Sequence, residues 1–363
     1  MDTPPAPAPI RPHPHTPTPH QLGYRMPAEW APHAATWFSW PHNPETWPGP
    51  GHLEAAERVL AEAVAALRSG EDVRINVLDA EHEAHIHELL AGQEDAAYPV
   101  HFHRIPTNDA WCRDHGAIFV VREEAGRSLA AVDWGYNAWG GKYPPFDLDN
   151  DVPRQMADLL DVRRFEGGMV LEGGSVEVNG AGLLLTTEAC LLNPNRNPGW
   201  TQAQIEARLR EMLGIQEILW LNGELEGDDT DGHIDNLARF VAEDTVVAIA
   251  EDDPADVNYA PLQDNLGRLK AMTAADGRPL RVITLPMPAP VYVGENRLPA
   301  SYANFYIGNR VVLLPNYGDP NDHVAQERLQ ALFPERRVVG LDCTDVAVGL
   351  GAFHCLTQQV PLV

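Results

Sequence analysis

A chain of 363 residues that is 44% apolar can bury a sizeable core, and one repeat-built domain fits that length as well as two domains do. Its 52 acidic against 26 basic residues give a formal charge of −26, which opposes nucleic-acid binding and favours the approach of a cationic ligand. No run approaches the roughly 18–20 apolar residues of a membrane span, no apolar segment follows a basic start as in a secretory signal, and Cys112, Cys190, Cys343 and Cys355 form no C-x-x-C pair; neither a disulfide framework nor a zinc knuckle is expected, and a cytoplasmic location is.

Residues 1–21 are proline-rich without apolar periodicity and read as a disordered tail, leaving 22–363 as one folded domain. Apolar positions at helical spacing over 52–68, with Gly70 behind them, predict a helix. Further helices are expected from Pro153 after Asp151, from Thr201 to Leu213 before Gly214, around 255–272 and around 321–332. Between them, short apolar runs split by turns read as β-hairpins. These are AIFVV with SLAAVDW, VEV with GLLLTT across Asn179-Gly180, NLARFV with TVVAIA across 242–244, and PASYANFYI with VVLLP across Gly308-Asn309. The run ATWFSWP at 35–41 looks like the opening of one more. A unit recurring about every 60 residues predicts hairpin-plus-helix repeats around an axis, with the polar residues at their starts meeting in a central pore.

Four segments carry candidate chemistry. Cys355 follows Gly349 and Gly351, and Gly351 allows close approach of a substrate. A thiolate is a strong nucleophile, but a free thiol titrates near about 8.5 and needs a cationic neighbour; an inert buried cysteine is the equal alternative. In the run from Asp229 to Asp235, a strand would project His233 and Asp235 to one face. The imidazole could then protonate a leaving group and deprotonate water, while the carboxylate grips a cation. A capping loop and a metal-binding run compete with that reading. Trp111 and Asp114 suit a planar guanidinium through stacking and bidentate hydrogen bonds, unless Arg113 claims Asp114 as an internal ion pair. Glu172 opens the second hairpin before two glycines, where it could accept from His233 and hold the imidazole charged.

The motifs GYRMPAEWAPHAATWFSWP, NDAWCRDHG, LEGGSVEVNG, LLNPNRNP, DTDGHIDN, PASYANFYI, GDPND and HCLTQQ run in order from Gly23 to Gln359. With them the chain resembles agmatine deiminases, within the wider guanidine-modifying superfamily. The resemblance implies an α/β fold, a five-bladed propeller of pseudo-fivefold repeats. It implies Cys355 as nucleophile and His233 as general acid/base. Asp114 and Asp235 would hold the guanidinium, Glu172 would support the substrate and His233, Trp111 would pack on the substrate, and Asp229 would face its distal amine. No metal and no cofactor are implied; the partner is a small cationic guanidine, agmatine, and a homo-oligomer is left open. Two departures stand out: Leu350 interrupts a glycine run usual in the family, and Cys112 sits where a larger apolar residue is common. A peptidyl-arginine deiminase of the same superfamily, a binuclear metal ureohydrolase and an inactive binding module are the rival readings. The acidic run at Asp228–Asp231 and Trp111 favour agmatine's ammonium over the carboxylate of free arginine.

Overall fold

The computed structural model describes residues 16–363 apart from 94, 95, 124, 125, 127 and 275. Of the tail expected over 1–21, residues 1–15 lie outside the described residues; His20–Leu22 form one 3-10 turn closed by Gly23 at φ 79°, so described structure is in place ahead of Leu22. The five expected helices are found at His52–Leu67, Val152–Leu160, Gln202–Leu213, Tyr259–Ala271 and Asn321–Leu332. Their ends obey local chemistry. Pro153 sits in a first turn where no N–H is needed. Thr201 and Gln204 form a reciprocal capping box, and Gly214 closes that helix at φ 69°. A sixth long helix, Ala80–Leu89, has no counterpart in the sequence reading because Ile86 is its one buried residue and no apolar stripe exists to be seen.

The fold is mixed α/β with several small sheets. His33–Ser39 pairs antiparallel with Thr357–Pro361 and parallel with Asp72–Val77, which pairs parallel with Val100–Arg104. Ile118–Arg122, Ser128–Gly135 and Arg163–Val170 make the second sheet, antiparallel then parallel. The same sequence of pairings recurs in Glu177–Val178, Leu183–Thr187 and Glu217–Leu221. It recurs again in Ala238–Ala242, Thr245–Ala250 and Arg281–Pro286, and in Tyr306–Ile307, Val311–Asn316 and Arg337–Asp342. Each parallel step needs a crossover, and each crossover carries one of the six long helices. The run at 35–41 thus opens a sheet, but its antiparallel partner is the last strand of the chain and not its neighbour in sequence.

Two local expectations change. The turn at Asn179-Gly180 is not a two-residue hairpin. Asn179 Oδ1 accepts from the N–H of both Ala181 and Leu183, and Gly180 and Gly182 take φ 70° and 101°, so the loop spans four residues. His233 and Asp235 do not lie on a strand either. Ile234–Asn236 form a 3-10 turn with His233 as its N-cap, and the strand begins at Ala238.

Candidate active site

That turn is one of a series. Asp114 lies in the helical turn Cys112–His115, Glu172 precedes the 3-10 turn Gly173–Ser175, and Cys355 lies in the turn Phe353–Leu356; each turn runs into the first strand of a hairpin or the closing strand of the chain. Each of these tight turns holds its side chains at the end of the strand that follows. The predicted groups therefore meet although the alternation of a strand does not bring them together. Asp114, Glu172, His233, Asp235 and Cys355 are all buried.

Gly174 sits where three of them converge. Its N–H donates to Asp114 Oδ1 at 2.9 Å. A Cβ on it would meet His233 Nδ1 at 2.6 Å, Asp114 Oδ1 at 2.7 Å and Asp235 Oδ2 at 3.0 Å. Gly174→Ala is therefore expected to cost on the order of 100-fold in turnover, the scale of loss when reacting groups are displaced by about 1 Å. Circular dichroism should show the fold retained, and an alanine variant with normal kcat would refute this packing.

Asp114 Oδ2 also accepts from Trp139 Nε1 at 3.0 Å, and its Oδ1 lies 3.7 Å from His233 Nδ1. Burial pushes the Asp114 carboxyl up to about 6, with the charges of Asp235 and Glu172 adding and His233 opposing. Burial alone would lower His233, but Asp114 first, then the neighbouring Cys190 thiol and Asp235, hold its imidazole well above the usual range. Glu172 does not hydrogen-bond His233. Its Oε1 accepts from Arg196 Nε at 2.7 Å, and Arg196 goes on to Asp231. Arg113 leaves Asp114 free as well: it donates to Gln358, Gln359 and Glu29. Glu172 Oε2, Asp235 Oδ1 and both ring nitrogens of His233 are buried without a hydrogen-bond partner. Native proteins rarely leave such groups unmatched, so their clustering marks where a polar ligand fits.

Beneath the nucleophile candidate lies a network that sequence reasoning missed. Cys355 Sγ accepts from Asn304 Nδ2 at 3.0 Å and lies 3.4 Å from Asp235 Oδ2. His354 bridges Asp235 Oδ2 at 2.7 Å and Glu29 Oε2 at 2.9 Å. Glu29 is in turn paired with Arg239 at 2.8 Å and Arg113 at 3.3 Å. Burial works to raise the Asp235 carboxyl, but the bond and charge of His354, and the charge of His233, hold it below its usual range. Burial pushes the Cys355 thiol well above its usual range, and Asp235 and Asp114 push the same way. At rest it is a thiol. Asn304 occupies the fourth repeat's equivalent of the other turns, which is the one signal that could have found it.

Cys355 and Asp114 open onto a cavity of about 670 Å³. Trp111 lines it and stacks on Trp47, ring centroids 5.7 Å apart. Gly351 does not line it; a Cβ there would fall 2.4 Å from Trp111, so its bareness admits that ring. Leu350 takes φ 72°, the left-handed conformation that glycine adopts without strain. Asp229 lines the mouth, bonded to Tyr143 and 3.1 Å from Lys142 Nζ, so its charge is already matched.

Asp149 lines the same cavity, and its Oδ1 accepts from the N–H of Asn108 at 2.7 Å and of Asp109 at 3.3 Å. Burial raises its carboxyl from 3.8 to about 8. A raised carboxyl favours the protonated fold, so this stability is present below 3.8 and lost as pH rises through about 8. Asp149→Asn keeps the acceptor and removes the titration. It should gain at least about 1 kcal/mol over the unchanged chain at pH 8 but not at pH 4. Denaturant titration at both pH values checks it; an equal effect at both would contradict it.

The Porphyromonas-type peptidyl-arginine deiminase family matches residues 25–361. An agmatine deiminase of Ectopseudomonas mendocina is 39% identical over 370 residues, covering 95% of this chain and 98% of the relative. The solved agmatine deiminase of Enterococcus faecalis superposes with a TM-score of 0.85 at 33% identity, covering 96% and 98% of the two chains. A C. jejuni agmatine deiminase carrying a cysteine-to-serine substitution, with substrate bound, gives 0.83 at 33% identity and covers 93% and 96%. On this match the chain belongs to the Porphyromonas-type peptidyl-arginine deiminase family.

Proposed function

We propose that the chain is an agmatine deiminase, hydrolysing agmatine to N-carbamoylputrescine and ammonia through a covalent adduct on Cys355. The observation that carries this is the charge of the cavity. Glu45, Asp109, Asp114, Glu226, Asp228 and Glu295 line it, besides Asp229, which Lys142 matches, and Asp149, which burial keeps protonated, and the one basic side chain among the described lining residues, Arg297, is bound by Asp256 at 2.8 and 3.0 Å. Such a cavity suits a ligand cationic at both ends and offers no partner to the carboxylate of free arginine. The relatives named agmatine deiminases support the same reading.

In the proposed reaction the guanidinium docks against Asp114 and the unpartnered Asp235 Oδ1, with Glu172 Oε2 behind it. Its positive charge favours the thiolate, and the proton leaves Sγ for solvent. Sulfur bonds to the guanidine carbon. His233 gives a proton to the departing nitrogen, the C–N bond breaks and ammonia leaves. Neutral His233 then takes a proton from water, the hydroxide adds to the same carbon, and the C–S bond breaks with the new hydroxyl's proton passing to sulfur, which restores the resting thiol and releases the neutral ureido product. No cofactor enters. The arrangement of five like sheets, with the last strand closing on the first, supports a five-bladed α/β propeller formed by a single domain over 22–363.

Product analysis with agmatine, arginine and an arginyl peptide in parallel tests the substrate. Ureido product and ammonia from agmatine are expected, with arginine turned over far more slowly. Preferential turnover of the peptide, or release of urea, would overturn the reading.

A further inference from the structure

Beside His233 sits the thiol of Cys190, in the turn Glu188–Leu191. Neither the proposed reaction nor the ion pairs use it. One ligand atom each from Glu172, Cys190 and His233 lies within 4.8 Å of the other two, and all three side chains are buried. We propose that these three residues form a binding site for a thiophilic divalent cation of the zinc class, and that filling it switches the catalytic centre off.

The donor set is a thiolate, an imidazole nitrogen and a carboxylate oxygen, three ligands that leave a fourth tetrahedral position open. The donors are free to bind. Glu172 Oε2 and both His233 nitrogens have no hydrogen-bond partner. The other oxygen, Glu172 Oε1, is held by Arg196 at 2.7 Å, which orients the carboxylate with Oε2 unclaimed. The Cys190 N–H is anchored on Thr187 Oγ1 at 3.4 Å. On binding, the cation forms bonds to sulfur, nitrogen and oxygen; the thiol proton, and the ring proton where His233 is charged, go to solvent. No electron moves. Two negative ligands neutralise a dication, which lowers the cost of burying it. That the bound state is inactive rests on the proposed role of His233: a metal-bound imidazole cannot become the imidazolium that gives the departing nitrogen its proton.

Cobalt(II) is the probe, because a thiolate ligand gives it a near-ultraviolet charge-transfer band. Full-length Cys355→Ala chain, stripped with chelator, should show that band at one equivalent, and zinc should bleach it. The histidines of residues 1–21 cannot give it, since that stretch has no cysteine. Adding Cys190→Ser should weaken binding by at least about tenfold and remove the band; if that variant misfolds, Glu172→Gln should keep the band and weaken binding similarly. With the unsubstituted chain, zinc should stop agmatine turnover and chelator should restore it. A missing band, a band that survives loss of Cys190, or zinc bound without inhibition would each overturn the proposal. A chain that binds cobalt in this way but deiminates nothing would overturn the proposed function and leave the cation site standing.

Discussion

Replacing Cys355 by alanine should lower kcat for agmatine by on the order of 10⁴-fold or more, the scale of loss when a covalent nucleophile is removed. The cost to the fold should be small. Sγ has one strong partner, Asn304, at 3.0 Å, and the thiol sits high enough to be neutral at rest, so no ion pair is broken. Thermal unfolding should move by no more than the equivalent of about 1 kcal/mol. Substrate binding should survive, because the proposed guanidinium partners Asp114, Asp235 and Glu172 remain; calorimetry with agmatine would measure it. An alanine variant that keeps more than about one per cent of turnover would end the covalent scheme.

His233→Ala should lower kcat by on the order of 10²- to 10⁴-fold, the usual range for a lost proton carrier. It also makes a prediction in pH. Asp114 must be ionised to hold the guanidinium, so activity of the unchanged chain should fall as pH drops through about 6. His233 charge helps keep Asp114 ionised. Without the imidazole, the acidic limb of the residual kcat/KM profile should therefore move above 6. Stability follows the same group with a definite sign. His233 is raised above 6.5 in the fold, so its contribution is fully present below 6.5 and lost as pH rises through the folded value. The variant should accordingly lose more stability in acid than in alkali. An unmoved acidic limb would show that His233 does not face Asp114 in solution.

Much of this site was legible because its residues obey a period. Asp114, Glu172 and His233 open three successive repeats and Cys355 opens the strand that closes the series, so recurring spacing implied that they meet, and five helices announced themselves through apolar stripes and end signals such as Thr201 and Gly214. What escaped has physical reasons. The helix Ala80–Leu89 buries only Ile86 and left no periodicity. His233 and Asp235 were placed on a strand, whereas a 3-10 turn carries them, because turn and strand both tolerate that polar run. The contacts of His354 with Glu29, and of Glu29 with Arg113 and Arg239, join residues far apart in the chain, and no local pattern encodes such pairs. Cys190 looked like any buried thiol, and its setting beside His233 exists only in three dimensions.

The central claim is a covalent bond between Cys355 and the guanidine carbon, and mass spectrometry of enzyme acid-quenched during agmatine turnover tests it most directly. The account predicts a chain heavier by agmatine less ammonia, with the added mass on the peptide that contains Cys355. Steady turnover with no such adduct, or with the mass on another residue, would contradict it.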